Sequence, residues 1–218
     1  MSLFLIVLAA GESKRLNSSI PKPFQVINNK TLLEYSINSF SSFFEIKKTI
    51  IVYNKKHKKY LSNTNLNNFI KIEGGKNRQE STFKALKKIE KMGCKKVLIH
   101  DAARPNPPKK MIKDVINKLK LYKAVVPVIK VTDATKRIKN NTIFKNIKRD
   151  SLRLSQTPQG FNFNKIYLKH KKNKNILFDD DISMFTNDDE AVCIVPGSKK
   201  NLKITDKEDL GIFYSSRN

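Results

Sequence analysis

Apolar residues along the chain gather in short runs, and amphipathic, charge-rich segments separate them. Leu3 to Leu8 is an unbroken apolar run, too short for a buried helix and rich in Ile, Val and Phe, which predicts a strand covered on both faces. Thr49 to Tyr53, Lys96 to His100, Ala124 to Ile129 and Ala191 to Val195 repeat the pattern. Helical periods lie between these runs. Thr31 with Glu34 has capping-box spacing before Leu32, Leu33, Ile37 and Phe40; Thr205 with Glu208 repeats it before Leu210, Ile212 and Phe213; Asn77 with Glu80 starts a third helix through Phe83, Leu86 and Ile89. Alternating strands and helices predict an α/β fold, with right-handed crossovers and a mainly parallel sheet flanked by helices. Ligands in such sheets bind outside the carboxyl ends of the strands. Gly11 and Asp101 each follow a predicted strand and so fall at that rim. Lys136 to Phe161 breaks the alternation, with short β-like pieces and a polar turn at Asn140 and Asn141, and predicts a hairpin arm leaving the main body.

The 218 residues suit one domain, 1–218, with the arm at about 136–161; no internal repeat or long linker divides them. No segment approaches the ~20 apolar residues of a membrane helix. The first apolar run lacks the basic flank and cleavage site of a secretory signal. Cys94 and Cys193 form neither a disulfide framework nor a zinc pattern, in keeping with a reducing cytoplasm. The net charge of +25 raises nucleic acid or an anionic membrane surface as partners. However, the lysines are scattered, often beside asparagine, and no aromatic-interleaved basic motif or helix-turn-helix accompanies them. A solvated, compositionally biased surface is the simpler reading, and nucleic-acid binding is not expected.

Three stretches carry chemistry. In Leu8-Ala-Ala-Gly-Glu-Ser-Lys-Arg15 small residues admit a ligand to the backbone, and turn N–H groups can hold phosphate oxygens; a plain strand exit with solvated cations is the alternative. Its glycine spacing is neither that of a Walker loop nor that of a dinucleotide fingerprint. His100-Asp-Ala-Ala-Arg-Pro105 puts an acid directly after a strand, where it can accept ribose hydroxyls or sit near a phosphate-bound metal, with His100 read as a satisfied histidine rather than a base. Gly74-Gly-Lys-Asn-Arg-Gln-Glu-Ser81 offers close backbone approach and a hydroxyl at Ser81, suited to a nucleobase edge or simply to a strand-to-helix loop.

Together with Pro21-Lys22, Gln156-Thr-Pro-Gln-Gly-Phe161 and Asn201-Leu-Lys-Ile-Thr205, these motifs stand in the order and spacing of the 2-C-methyl-D-erythritol 4-phosphate cytidylyltransferase family, which the chain resembles over essentially its whole length. The resemblance implies a Rossmann-like fold and a hairpin arm through which two subunits embrace. It implies transfer of a cytidylyl group from CTP to 2-C-methyl-D-erythritol 4-phosphate, with release of pyrophosphate, in the non-mevalonate route to isoprenoids. Arg15 and Lys22 then match the pair at the α-phosphorus, and Arg149 and Lys203 the pair that positions the acceptor, with the arginine crossing the dimer interface. Ala9, Ala10, Gly11, Gly75, Ser81, Asp101 and Ala102 match CTP-binding positions. Mg²⁺ is the implied cofactor, held mainly by CTP phosphates. The chain departs from the family pattern at Ser13 (commonly glycine), at Pro23 (commonly glutamine) and at Ala134, which leaves Thr135 as the candidate substrate contact. A downstream fused enzyme is not expected. A different acceptor, such as ribitol 5-phosphate, is the neighbouring alternative.

Overall fold

The computed structural model describes residues 2–12, 14–16, 18–185 and 192–216. Chain order begins with β1 (Leu3–Ala9), the small pair β2 (Val26–Ile27) and β3 (Lys30–Thr31), α1 (Leu32–Asn38), β4 (Ile46–Tyr53), α2 (Lys58–Ser62) and β5 (Ile70–Glu73). It continues through α3 (Arg78–Ile89), β6 (Lys96–Asp101), α4 (Lys109–Lys118), β7 (Ala124–Lys130), β8 (Thr135–Lys139) and β9 (Thr142–Ile147). Last come β10 (Arg153–Ser155), β11 (Gln159–Asn162), α5 (Phe163–Lys172), β12 (Cys193–Pro196) and α6 (Lys207–Ser215).

An eight-stranded sheet runs β10-β7-β11-β6-β1-β4-β5, with β12 beside β7. Its β6-β1-β4-β5 half is parallel throughout, as is the β7–β12 pair, while β10 and β11 run antiparallel to their neighbours. The Rossmann-like, mainly parallel reading therefore holds. Alternation along β1 explains the layers. Leu3, Leu5 and Val7 face a core shared with α1 and α4, while Phe4 and Ile6 face a second core shared with α3 and α5. A strand buried on both sides can be apolar at every position.

The caps match in part. Thr31 and Glu34 form a reciprocal box, and the Asn77 side chain accepts from the Glu80 N–H. At α6 the expected Thr205/Glu208 box is displaced by one residue. Asp206 caps the helix by accepting from the Asp209 N–H, and the Asp209 carboxylate reaches back to the Thr205 N–H and hydroxyl. The shorter aspartate fits the tight cap better than Glu208, which stays exposed.

The arm is shorter than the sequence suggests. Within that stretch only β8 and β9 form a hairpin separate from the main sheet, closed by Asn140 and Asn141 at φ 48° and 60°, the left-handed pair of a type I′ turn. Residues 153–162 return to the main sheet as β10 and β11. Gln159, Gly160 and Phe161 are buried there, because an antiparallel strand fills the space between β6 and β7. The expected strand at Ala191 is observed as β12 from Cys193; Ala191 and Ser13 lie outside the described residues.

Candidate active site

A cleft of about 570 Å³ opens beyond the carboxyl ends of β1 and β6, where the strand order reverses. Ala9, Ala10 and Gly11 leave β1 along its floor, and a 3-10 turn over Lys14–Leu16 brings Arg15 to its edge. A second 3-10 turn, Lys22–Phe24, starts after Pro21 and presents Lys22, with Pro23 beside it. Gly75, Ser81, Asp101 and Lys203 complete the lining among the expected residues.

The Gly74-Gly75 pair meets a steric demand. A Cβ at Gly74 would lie 2.5 Å from the Ala10 Cβ and 2.9 Å from Ser81 Oγ. One at Gly75 would fall 2.5 Å from the Glu80 side chain, whose carboxylate accepts from the Lys76 N–H. Ser81 Oγ accepts from the Gly75 N–H at 2.9 Å and donates to the Asn77 carbonyl at 2.8 Å. Its hydroxyl therefore pins the loop onto the start of α3.

Positive charge dominates the walls. Lys22 Nζ donates to the carbonyls of Ile204 (2.8 Å) and Thr205 (3.3 Å). Burial, followed by the charges of Arg15 and Lys203, pushes the Lys22 ammonium below the usual lysine value. An anion entering here relieves that repulsion. Asp101 provides the opposing charge. Its Oδ1 accepts from Arg78 Nε at 3.2 Å, and its Oδ2 pairs with Lys203 Nζ at 2.9 Å. Burial alone would raise the Asp101 carboxyl, but Arg78 and Lys203 outweigh it and hold the group well below the usual carboxylate range.

Three distant motifs are knitted together behind this rim. The Thr157 hydroxyl accepts from the Asp101 N–H at 3.1 Å and lies 3.1 Å from His100 Nδ1. His100 Nε2 lies 2.9 Å from the Arg104 carbonyl. A proton on Nε2 satisfies the whole chain: Nε2–H donates to the carbonyl, and Nδ1 accepts from the threonine hydroxyl. Burial pushes His100 down to about 4, so it is neutral and structural, as expected. Arg104 Nη1 donates to the Asn201 carbonyl, and the Ile204 N–H to the Ala103 carbonyl, which fixes the loop bearing Lys203.

Other expected residues lie elsewhere. Ala102 is fully buried and donates its N–H to the Leu8 carbonyl; of this alanine pair it is Ala103 that lines the cleft. Arg149 sits exposed at the foot of the hairpin, donating to the Thr132 carbonyl at 2.6 Å, and Thr135 lies at the base of β8; neither lines the cleft of its own chain. Sequence reasoning passed over Arg78 and Asp181. Arg78 lies inside a quoted motif, yet only the fold shows its guanidinium bridging Asp101 and the buried Asp181 (2.6 Å). Burial pushes Cys94 up to about 12, so that thiol is inert.

The described residues include no cluster of three His, Cys, Asp or Glu side chains suited to a metal. Both Asp101 oxygens are already paired, with Arg78 and Lys203, so this carboxylate is not arranged as part of a protein cage for a magnesium ion.

The model of the family described as IspD: 2-C-methyl-D-erythritol 4-phosphate cytidylyltransferase matches residues 3–214. A bifunctional enzyme IspD/IspF of Pelagibacter ubique is 40% identical over 211 residues, which cover 96% of this chain and 56% of that protein. The chain thus spans little more than half of that relative's length. A 2-C-methyl-D-erythritol 4-phosphate cytidylyltransferase of Petrotoga mobilis is 36% identical, covering 95% of this chain and 94% of the relative. Among solved structures, 4-diphosphocytidyl-2C-methyl-D-erythritol synthase from Anaerococcus prevotii superposes with a TM-score of 0.86 at 27% identity, covering 99% of this chain and 98% of that one.

Proposed function

The chain belongs to the 2-C-methyl-D-erythritol 4-phosphate cytidylyltransferase family, and from that premise we propose how its cleft performs cytidylyl transfer. CTP lies along the floor, its base toward Gly75 and Ser81, its ribose near Asp101, and its triphosphate between the β1 exit, Arg15 and Lys22. The phosphate of 2-C-methyl-D-erythritol 4-phosphate approaches Lys203. One of its oxygens attacks the α-phosphorus of CTP in line, a new P–O bond forms, and the bond to the bridging oxygen of pyrophosphate breaks. The attacking phosphate is ionised near neutral pH, so no general base is needed.

The work of the site is electrostatic. Two anions must meet, and negative charge builds on the α-phosphoryl oxygens in the transition state. The observation that carries this reading is the clustering of Arg15, Lys22 and Lys203 around one cleft, where burial first and then the two neighbouring charges depress Lys22. Fixed cations in a partly dry cleft stabilise such charge far better than in water. A magnesium ion, if bound, would be held mainly by the CTP phosphates with Asp101 as the nearby protein carboxylate, and would supply further neutralisation of the leaving pyrophosphate.

Arg149 and the hairpin suggest a second subunit. Ile138, Ile143 and Phe144 are 55%, 64% and 62% exposed on β8 and β9, and a two-stranded hairpin alone is marginal in water. A homodimer that buries these residues would also let Arg149 act in the partner's cleft beside Lys203, with Thr135 nearby.

The test is pyrophosphate release from CTP with Mg²⁺, with 2-C-methyl-D-erythritol 4-phosphate and ribitol 5-phosphate supplied in turn. Turnover with the first and not the second is expected; the reverse would overturn the acceptor assignment.

A further inference from the structure

Arg78 opens α3 at the cleft wall and is shared by two acids. Nη1 donates to Asp181 Oδ2 at 2.6 Å, and Nε donates to Asp101 Oδ1 at 3.2 Å. Nη2 is buried and has no partner among the described residues. Asp181 is itself 1% exposed, and its other oxygen meets His170 Nε2 at 3.0 Å, with Phe83 stacked on that imidazole at an interplanar angle of 7°. A chain of contacts therefore runs from the core, through His170, Asp181, Arg78 and Asp101, to Lys203.

We infer that Asp181 is a positioning residue for Lys203: by engaging Arg78 from behind, it limits that guanidinium to one bond with Asp101 and leaves the second Asp101 oxygen to the lysine. A guanidinium free of other partners takes a carboxylate with two parallel bonds. Arg78 already carries an idle Nη2 beside its engaged Nε. Without the Asp181 charge, Arg78 is free to close on both oxygens of Asp101, and Lys203 loses the anchor that aims it into the cleft. The segment bearing Asp181 is tied separately through Asp180, which accepts from Ser155 (2.6 Å), Gln159 (2.8 Å) and Ser183. Holding the loop and directing the charge are thus assigned to adjacent residues.

The kinetic arm of the test rests on the proposed reaction, whereas its chemical arm does not. In the ligand-free protein, the rate at which an amine-acylating reagent labels Lys203 is read by mass spectrometry. Asp181→Asn is expected to raise that rate at least threefold, because the lysine loses its carboxylate partner. Arg78→Lys, which cannot bridge two acids, is expected to change it also and stands in should Asp181→Asn fail to fold. Ser155→Ala, which cuts only the Asp180 tie, is expected to leave it unchanged. In turnover, Asp181→Asn should raise the KM for 2-C-methyl-D-erythritol 4-phosphate at least tenfold with the KM for CTP within threefold, and should add nothing in a Lys203→Ala background. Unchanged labelling, or kinetic losses that add to those of Lys203→Ala, would overturn the inference. Wild-type protein that labels as expected but does not turn over would instead refute the proposed reaction.

Discussion

Lys22 donates to two backbone carbonyls while sharing its cleft with Arg15 and Lys203. Its charge is thus aimed before any substrate arrives, which is what transition-state stabilisation requires. Lys22→Ala should lower kcat at saturating CTP at least a hundredfold, roughly 3 kcal/mol of stabilisation; steady-state kinetics checks this, and wild-type turnover would remove Lys22 from the chemistry. His100 makes a different prediction. Its folded value is about 4 against 6.5 for the free side chain, so below pH 6.5 the unfolded chain binds a proton that the folded one refuses. Stability should therefore fall between pH 6.5 and 4, by up to about 3 kcal/mol from this residue. Asp101 works lower still: its depressed value keeps it charged until the pH has dropped far below the usual carboxylate range. Urea unfolding of wild type and His100→Asn across that interval tests the slope, which should flatten in the variant. Asp101 was legible as a cleft residue because it directly follows a predicted strand, whereas Lys22 entered through the resemblance carried by Pro21-Lys22. Asp181 was not legible, since its partner Arg78 is remote in the chain and only packing joins them.

Among the elements, buried strands announced themselves through unbroken apolar runs, and two of the three helix starts through their caps. β5 did not, because an edge strand reading Ile-Lys-Ile-Glu carries no such run. The arm was overestimated because β10 and β11 are short, and their burial comes from β6 and β7 rather than from local periodicity. The loop from β5 to α3 invites a direct test. Gly74→Ala places a methyl group against Ala10 at the end of β1, where the neighbour is anchored and cannot turn aside. The expected cost is about 1–3 kcal/mol of stability together with a weaker affinity for CTP, measurable by thermal unfolding and by titration with the nucleotide.

Across the whole molecule, the charge of +25 is distributed rather than concentrated, apart from the cleft, whose few cations carry the proposed chemistry. The hairpin exposes Ile138, Ile143 and Phe144, the patch proposed above as the dimer contact. Ile143→Asp with Phe144→Asp should convert the proposed dimer to a monomer, as read by sedimentation, and should lower turnover with the acceptor because Arg149 would no longer reach a partner's cleft. A dimer that survives the double change would place the contact elsewhere. At the level of sequence, the expectation of a second subunit rested on resemblance alone, since one chain's hydrophobic pattern does not state what covers an exposed face.

The knitting of Thr157, Asn201 and Ile204 onto the strand end at Asp101 has a temporal meaning. A ribosome releases β1 and β6 well before β12 and the Lys203 loop, so a nascent chain can assemble the parallel half of the sheet while the Lys203 side of its cleft is still missing. Nucleotide binding at the proposed site would then await synthesis of the Lys203 loop.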